Sequence, residues 1–197
     1  MFGYETPEPT TGWVSRILGP KNHKTRMFRE WVLIVIIALL ASLIIRSFLF
    51  QTFYIPSGSM EPTLQIGDRI VVNKLSVDFA SINRGDIIVF KAPPSENCGG
   101  EPVTDLVKRV IGLPGDHLSS SVNTIYVNGK PLSEAWSHTE PLGPAISPTT
   151  VKAGTYFVMG DNHNNSCDSR YWGTVPKSDI IGKAFVRIWP MSRIGWF

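Results

Sequence analysis

Cysteine is scarce in this chain. Cys98 and Cys167 are the two present, and no Cys-x-x-Cys spacing or histidine partner suggests a ligand set, so neither a metal centre nor another cofactor is expected. Histidine is nearly as rare: His23, His117, His138 and His163 have no surroundings that suggest a catalytic triad. Charge of either sign is modest. Nineteen basic and sixteen acidic side chains leave a formal +3, too small to imply nucleic-acid binding, and basic and aromatic residues do not interleave. At 197 residues the chain has room for one domain, or one domain with an insertion, around a real core.

Long apolar runs are lacking too, with one exception. Trp31 to Ile45 is interrupted only by Ser42. Extended through Arg46 to Phe50 it approaches the ~20 positions needed to cross a bilayer, with Arg46 able to snorkel. It has no polar face for packing on a core, and no small-residue cleavage site comes after it, so a retained anchor over residues 30–50 is expected. Lys21, Lys24, Arg26 and Arg29 precede the run, against Arg46 alone at its far end. The positive-inside bias then leaves residues 1–29 as a cytoplasmic arm and everything after about residue 50 outside. That arm carries Pro7, Pro9 and Pro20 and no apolar period, which reads as flexible, with an interfacial turn at Trp13 to Leu18.

Beyond residue 50 the apolar runs are short, broken by glycine and proline. Strands are expected at Asp68 to Leu75, Asp86 to Lys91, Asp105 to Ile111, Thr124 to Val127, Thr155 to Met159 and Ile180 to Trp189. Gly67-Asp68 and Gly85-Asp86 are turns entering strands, and Val127-Asn128-Gly129-Lys130 is a two-residue hairpin signal. The fold class is mainly β, an antiparallel domain over 51–197 behind a single N-terminal transmembrane helix. Residues from about 117 to 152 are rich in Ser, Thr, Pro and Gly and interrupt it.

Three segments carry the chemistry. In Ile55-Pro56-Ser57-Gly58-Ser59-Met60, Pro56 keeps the preceding residue extended, and Gly58 is expected to let the backbone turn tightly, presenting Ser57 and Ser59 on a bend. A nucleophilic serine needs a base. Lys108, inside the apolar run Leu106-Val107-Lys108-Arg109-Val110-Ile111, is the candidate, because desolvation leaves a lysine amine neutral. A solvated lysine on a polar strand edge is the alternative. The third segment, Gly160 to Arg170, is a polar cluster between apolar strands, in which Asp168 or Asp161 could pair with Arg170 and Ser166 could bond a buried amine.

These segments, in this order behind a membrane run, resemble the bacterial type I signal peptidases, membrane-bound Ser/Lys proteases. The match runs from about Trp31 to the C-terminus. It rests on Pro56-Ser57-Gly58-Ser59-Met60, on Lys108-Arg109 with Gly112-Leu113-Pro114-Gly115-Asp116, and on Gly160-Asp161-Asn162, Asn165-Ser166 and Asp168-Ser169-Arg170. The resemblance implies Ser59 as nucleophile, Lys108 as general base, and an oxyanion hole from the Ser57 hydroxyl and the Ser59 N–H. It implies that Ser166 orients the Lys108 amine, that Asp161, Asp168 and Arg170 brace the site, and that residues 117–152 form an inserted β subdomain. Phe53, Ile55, Pro56, Met60, Leu106 and Val107 are expected to line the substrate pockets, with alanine-like residues preferred at substrate positions −1 and −3. The chain departs from the family at His163, where arginine is usual, at Asn164, where acidic or small residues are common, and at Cys167, a variable position.

The implied partners are signal peptides of exported preproteins, the lipid bilayer and the protein translocation machinery. A specialised relative maturing one substrate, such as a conjugative pilin, is the nearest rival. A self-cleaving repressor would need a DNA-binding domain in place of the anchor, and a non-catalytic anchored β domain would have no use for Ser59 with Lys108. Both cysteines fall on the oxidising side, so a Cys98–Cys167 disulfide is expected.

Overall fold

Each short apolar run becomes a strand because alternate residues can be buried on the two faces of one sheet. In the computed structural model, residues 23–96, 98, 103–137 and 143–197 are described, without the side chains of 23–26 and 44–48. The arm with Trp13 to Leu18, and His138, lie outside the described residues. The chain divides into two units, residues 1–46 and 47–197.

In the first unit, helix α1 (His23–Leu49, its last turn in the second unit) carries the apolar run. From Met27 to Leu43 its described side chains are exposed. Among the described residues no helix is long and apolar enough to cross a membrane. The stretch expected to span, 30–50, continues past Leu43 into the side chains that are not described, and Phe50 is already in a strand.

In the second unit the strands are β1 (Phe50–Tyr54), β2 (Arg69–Asn73), β3 (Ile87–Lys91), β4 (Asp105–Gly112), β5 (His117–Ser120) and β6 (Ile125–Val127). They continue with β7 (Lys130–Pro131), β8 (Thr149–Thr150), β9 (Thr155–Met159), β10 (Val175–Pro176), β11 (Ile180–Trp189) and β12 (Gly195–Trp196). Two single-turn helices, α2 (Ser76–Phe79) and α3 (Ser169–Trp172), interrupt them. Among the described residues the main sheet runs β1-β2-β11-β3-β4-β9-β10 with β12 on β11, and a smaller sheet runs β7-β6-β5-β8. Every pairing is antiparallel.

The long strands fall where the sequence puts them, with ends shifted by a residue or two. The short β7, β8, β10 and β12 have too few residues to show an alternation. The β6–β7 hairpin turns through Asn128 and Gly129 at φ of 53° and 77°, the left-handed pair that a two-residue turn demands.

Strand β3 sits between two cores. Ile88 and Phe90 join Val110, Val158 and Ile180 on one face; Ile87 and Val89 join Ile55, Met60, Leu64, Ile70 and Val72 on the other. A third cluster around Leu118, Ile125, Val151 and Phe157 lies under the smaller sheet. The loop from Ile55 to Asp68 is thus anchored by its own apolar residues, Met60 and Leu64, each buried. Arginines from β11 and the turn after it hold it as well. Arg187 donates to Thr63 O at 2.6 Å, and Arg193 reaches Asp68 Oδ1 at 3.0 Å, while Asp68 Oδ2 accepts from Gln65 N at 2.9 Å.

Candidate active site

The anchored loop presents its two serines on one turn. After Pro56 the chain is extended through Ser57 (φ −129°, ψ 155°) and then makes a single 3-10 turn, Gly58–Met60. Gly58 is not in the left-handed region, and the nearest atoms a Cβ there would meet are those of the Glu61 carboxyl group, at 3.1 Å. The tight bend expected to need a glycine is therefore an ordinary helical turn. The glycine that geometry does require is Gly160, where a Cβ would overlap Ser59 O and the Ser166 side chain. Asn162 N donates to Ser59 O at 3.1 Å, so the third segment is fastened directly to the serine turn.

Strand β4 brings the lysine. Lys108 lies opposite Ile88 and shares a face with Leu106 and Val110, which is why a lysine next to an arginine can be 3 % exposed. Its Nζ is 2.7 Å from Ser59 Oγ. Burial, with help from Arg170, pushes the amine down to about 8, against the opposing pull of Asp168, Asp161 and Glu96. Ser57 Oγ is 3.4 Å from Ser59 Oγ, and among the described residues the Ser59 N–H makes no hydrogen bond. A hydroxyl and a weakly basic amine thus meet at Ser59 Oγ.

Arg109, to which the sequence alone assigns no role, points to the opposite face. It grips Asp161 with two bonds, Nε to Oδ1 at 2.8 Å and Nη2 to Oδ2 at 2.6 Å, donates to Gly85 O at 2.7 Å, and lies 4.7 Å over the Trp136 ring. Asp161 therefore pairs with Arg109, not with Arg170. The signal was available: in a strand buried on both faces, adjacent basic residues cannot both reach water, so each needs a partner.

Asp168 takes Arg170 instead, Nε to Oδ1 and Nη2 to Oδ2, each at 2.8 Å. Ser166 departs from expectation. Its hydroxyl donates to Asp168 Oδ2 at 2.7 Å and accepts from Gly160 N at 3.2 Å, with no bond to Lys108. A hydroxyl has one proton, and a buried carboxylate is the stronger acceptor for it. His163 is buried with Nε2 3.3 Å from Glu134 Oε1, which ties the third segment to residues under the smaller sheet.

Two cavities meet at Ser57, Ser59 and Lys108. One, about 370 Å³, is lined by Phe53, Ile55, Pro56, Met60, Leu106 and Val107 among others. The second, about 620 Å³, is more polar and runs between Glu96, Cys98 and Val103 on one wall and Asn164 to Cys167 and Tyr171 on the other. Cys98 and Cys167 are joined as a disulfide with a Cα separation of 6.0 Å, so the bond links those walls. Glu96 with the two sulfurs makes a tight trio, but a disulfide has no thiolate to offer a metal.

Comparison with known proteins points one way. The family model described as "Signal peptidase, peptidase S26" matches residues 28–189. A probable signal peptidase I-2 of Synechocystis is 43 % identical over 89 % of this chain and 78 % of its own length. Signal peptidase I of Bacillus caldolyticus is 37 % identical over 89 % of this chain and 98 % of its own length. A crystal structure of a signal peptidase I from Enterococcus faecalis is 34 % identical, covering 52 % of this chain and 96 % of that one, with a TM-score of 0.40.

Proposed function

The chain belongs to the signal peptidase family, peptidase S26, and is a serine peptidase; from that premise we propose a membrane-anchored endopeptidase that removes N-terminal signal peptides from exported preproteins, with Ser59 as nucleophile and Lys108 as general base. The observation that carries it is the 2.7 Å approach of Lys108 Nζ to Ser59 Oγ, made by an amine withdrawn from water.

In the neutral form Nζ accepts the Ser59 proton as Oγ attacks the scissile carbonyl carbon. The negative charge that develops on the carbonyl oxygen is met by the Ser59 N–H and the Ser57 hydroxyl. The ammonium then gives its proton to the departing amine, leaving an acyl group on Ser59 Oγ. Lys108, neutral again, takes a proton from an attacking water and returns it to Ser59 Oγ as the acyl–Oγ bond breaks, which releases the acid and restores the free serine. Asp168, Arg170 and Ser166 hold the wall behind the amine, and Arg109 with Asp161 anchors β4 to the 160s loop.

Substrate enters as an extended strand. On one side β4 pairs with β3 from Asp105, but on the other it pairs with β9 only from Arg109, so Asp105 to Lys108 present an unpaired edge beside the apolar cavity. Small side chains at positions −1 and −3 would occupy that cavity. Residues 30–50 form the anchor, supported by the exposed apolar surface of α1 and its basic N-terminal flank, with residues 1–29 cytoplasmic and 51–197 outside. The inserted subdomain is the smaller sheet. Cleavage of several preproteins carrying Ala-x-Ala sites, by wild type and Ser59→Ala in detergent, tests the reading. Processing by wild type alone supports it, and processing by both proteins would remove Ser59 from the mechanism.

A further inference from the structure

Glu96 stands in the wall of the more polar cavity, together with Ser57, Ser59 and Lys108. It is partly exposed, and among the described residues no lysine, arginine or histidine forms an ion pair with it. The other acidic groups that act on the Lys108 amine, Asp161 and Asp168, are both neutralised by bidentate arginines. Glu96 alone of the three has no arginine partner among the described residues. Its backbone is set by a turn. A turn closes from Glu96 N to Pro93 O at 2.9 Å, Ser95 Oγ donates to Trp172 O at 3.4 Å, and a Glu96 carboxylate oxygen lies within 4.8 Å of both sulfurs of the disulfide. A carboxylate in the wall of a cavity beside Ser59 can meet a cation there.

Resting on the function proposed above, we infer that Glu96 is a specificity-determining residue, selecting a lysine or arginine among the first residues after the scissile bond. The apolar cavity takes the small side chains before the bond. An extended chain crossing Ser59 leaves that cavity once, and the polar cavity shares Ser57, Ser59 and Lys108 with it, so the residues after the bond pass Glu96. A basic side chain there gains a charge-assisted hydrogen bond; an acidic one meets like charge.

The test uses the full chain in detergent and peptides with one Ala-x-Ala site, in one set of three for each of positions +1, +2 and +3, the members of a set differing only in lysine, alanine or glutamate at that position. The readout is the ratio of kcat/KM for lysine over glutamate within each enzyme preparation, so partial loss of folded protein cancels. Wild type is expected to favour lysine by about 5-fold or more at one position, Glu96→Gln to bring that ratio near unity, and Glu96→Lys to invert it. Raised salt should shrink the wild-type ratio. A ratio near unity in wild type, or one that survives Glu96→Gln, overturns the inference while cleavage of the alanine peptide leaves the proposed function standing. No cleavage of any peptide by wild type overturns both.

Discussion

Ser59, Lys108 and Ser57 are three ordinary side chains made unusual by where they lie. The hydroxyl of Ser57 is placed 3.4 Å from Ser59 Oγ, close enough to serve an oxyanion developing there in the proposed mechanism. Ser57→Ala should therefore lower kcat by roughly 10²–10³ with KM little changed, and Ser57→Thr should keep most activity; steady-state kinetics on one preprotein decides it. A loss under about threefold would take Ser57 out of the oxyanion hole.

Lys108 also carries a stability consequence. Its folded pKa is depressed to about 8, whereas the unfolded chain keeps the proton to ~10.4. Above the unfolded value both states are neutral, and no penalty exists. As pH falls between the two values the unfolded state gains protons first, so the folded state loses stability, on the order of 3 kcal/mol once both are protonated. At neutral pH the penalty is present in full. Lys108→Met should thus be inactive, yet melt at the same temperature as wild type or higher, and a marked fall in Tm by calorimetry at pH 7 would contradict this.

Among elements, the loop after β1, strand β4 and the loop after β9 make the site together. The loop is legible in sequence as a dense polar cluster, and Ser59 and Lys108 are legible from their settings and the resemblance. The pairings inside the cluster are not. Nearness in the chain matches Arg170 with Asp168 or Asp161, whereas Asp161 is taken by Arg109, 52 positions away and on the next strand. Nearness in sequence is a poor guide once a loop folds back on a sheet. Gly58 and Gly160 show the same limit, because a glycine's need is set by which backbone it touches. At Gly160 that backbone is Ser59 itself. Gly160→Ala should push the two apart, costing ~1–3 kcal/mol in stability and at least 10-fold in kcat/KM. Chemical denaturation and kinetics on the same sample measure both, and wild-type values in each would show the contact to be slack.

For the whole molecule, short apolar runs broken by glycine and proline, with their turn signals, made the mainly β class and the long strands readable. The order β2-β11-β3 was not, because it brings the last long strand between two early ones and no local pattern encodes that. The proposed topology rests on the basic flank at Lys21 to Arg29. Protease added to sealed, right-side-out membranes should digest the domain beyond Phe50 and spare the N-terminal arm. Protection of that domain would reverse the orientation and remove its access to exported chains.

The central claim is that a neutral lysine, not a histidine, is the base, and the pH dependence of kcat/KM for the full chain in detergent tests it most directly. It should rise with pH through one ionisation near about 8, the value burial gives Lys108, and reach its plateau on the alkaline side. A profile that rises instead through ~6.5, the ordinary range of histidine, would contradict it.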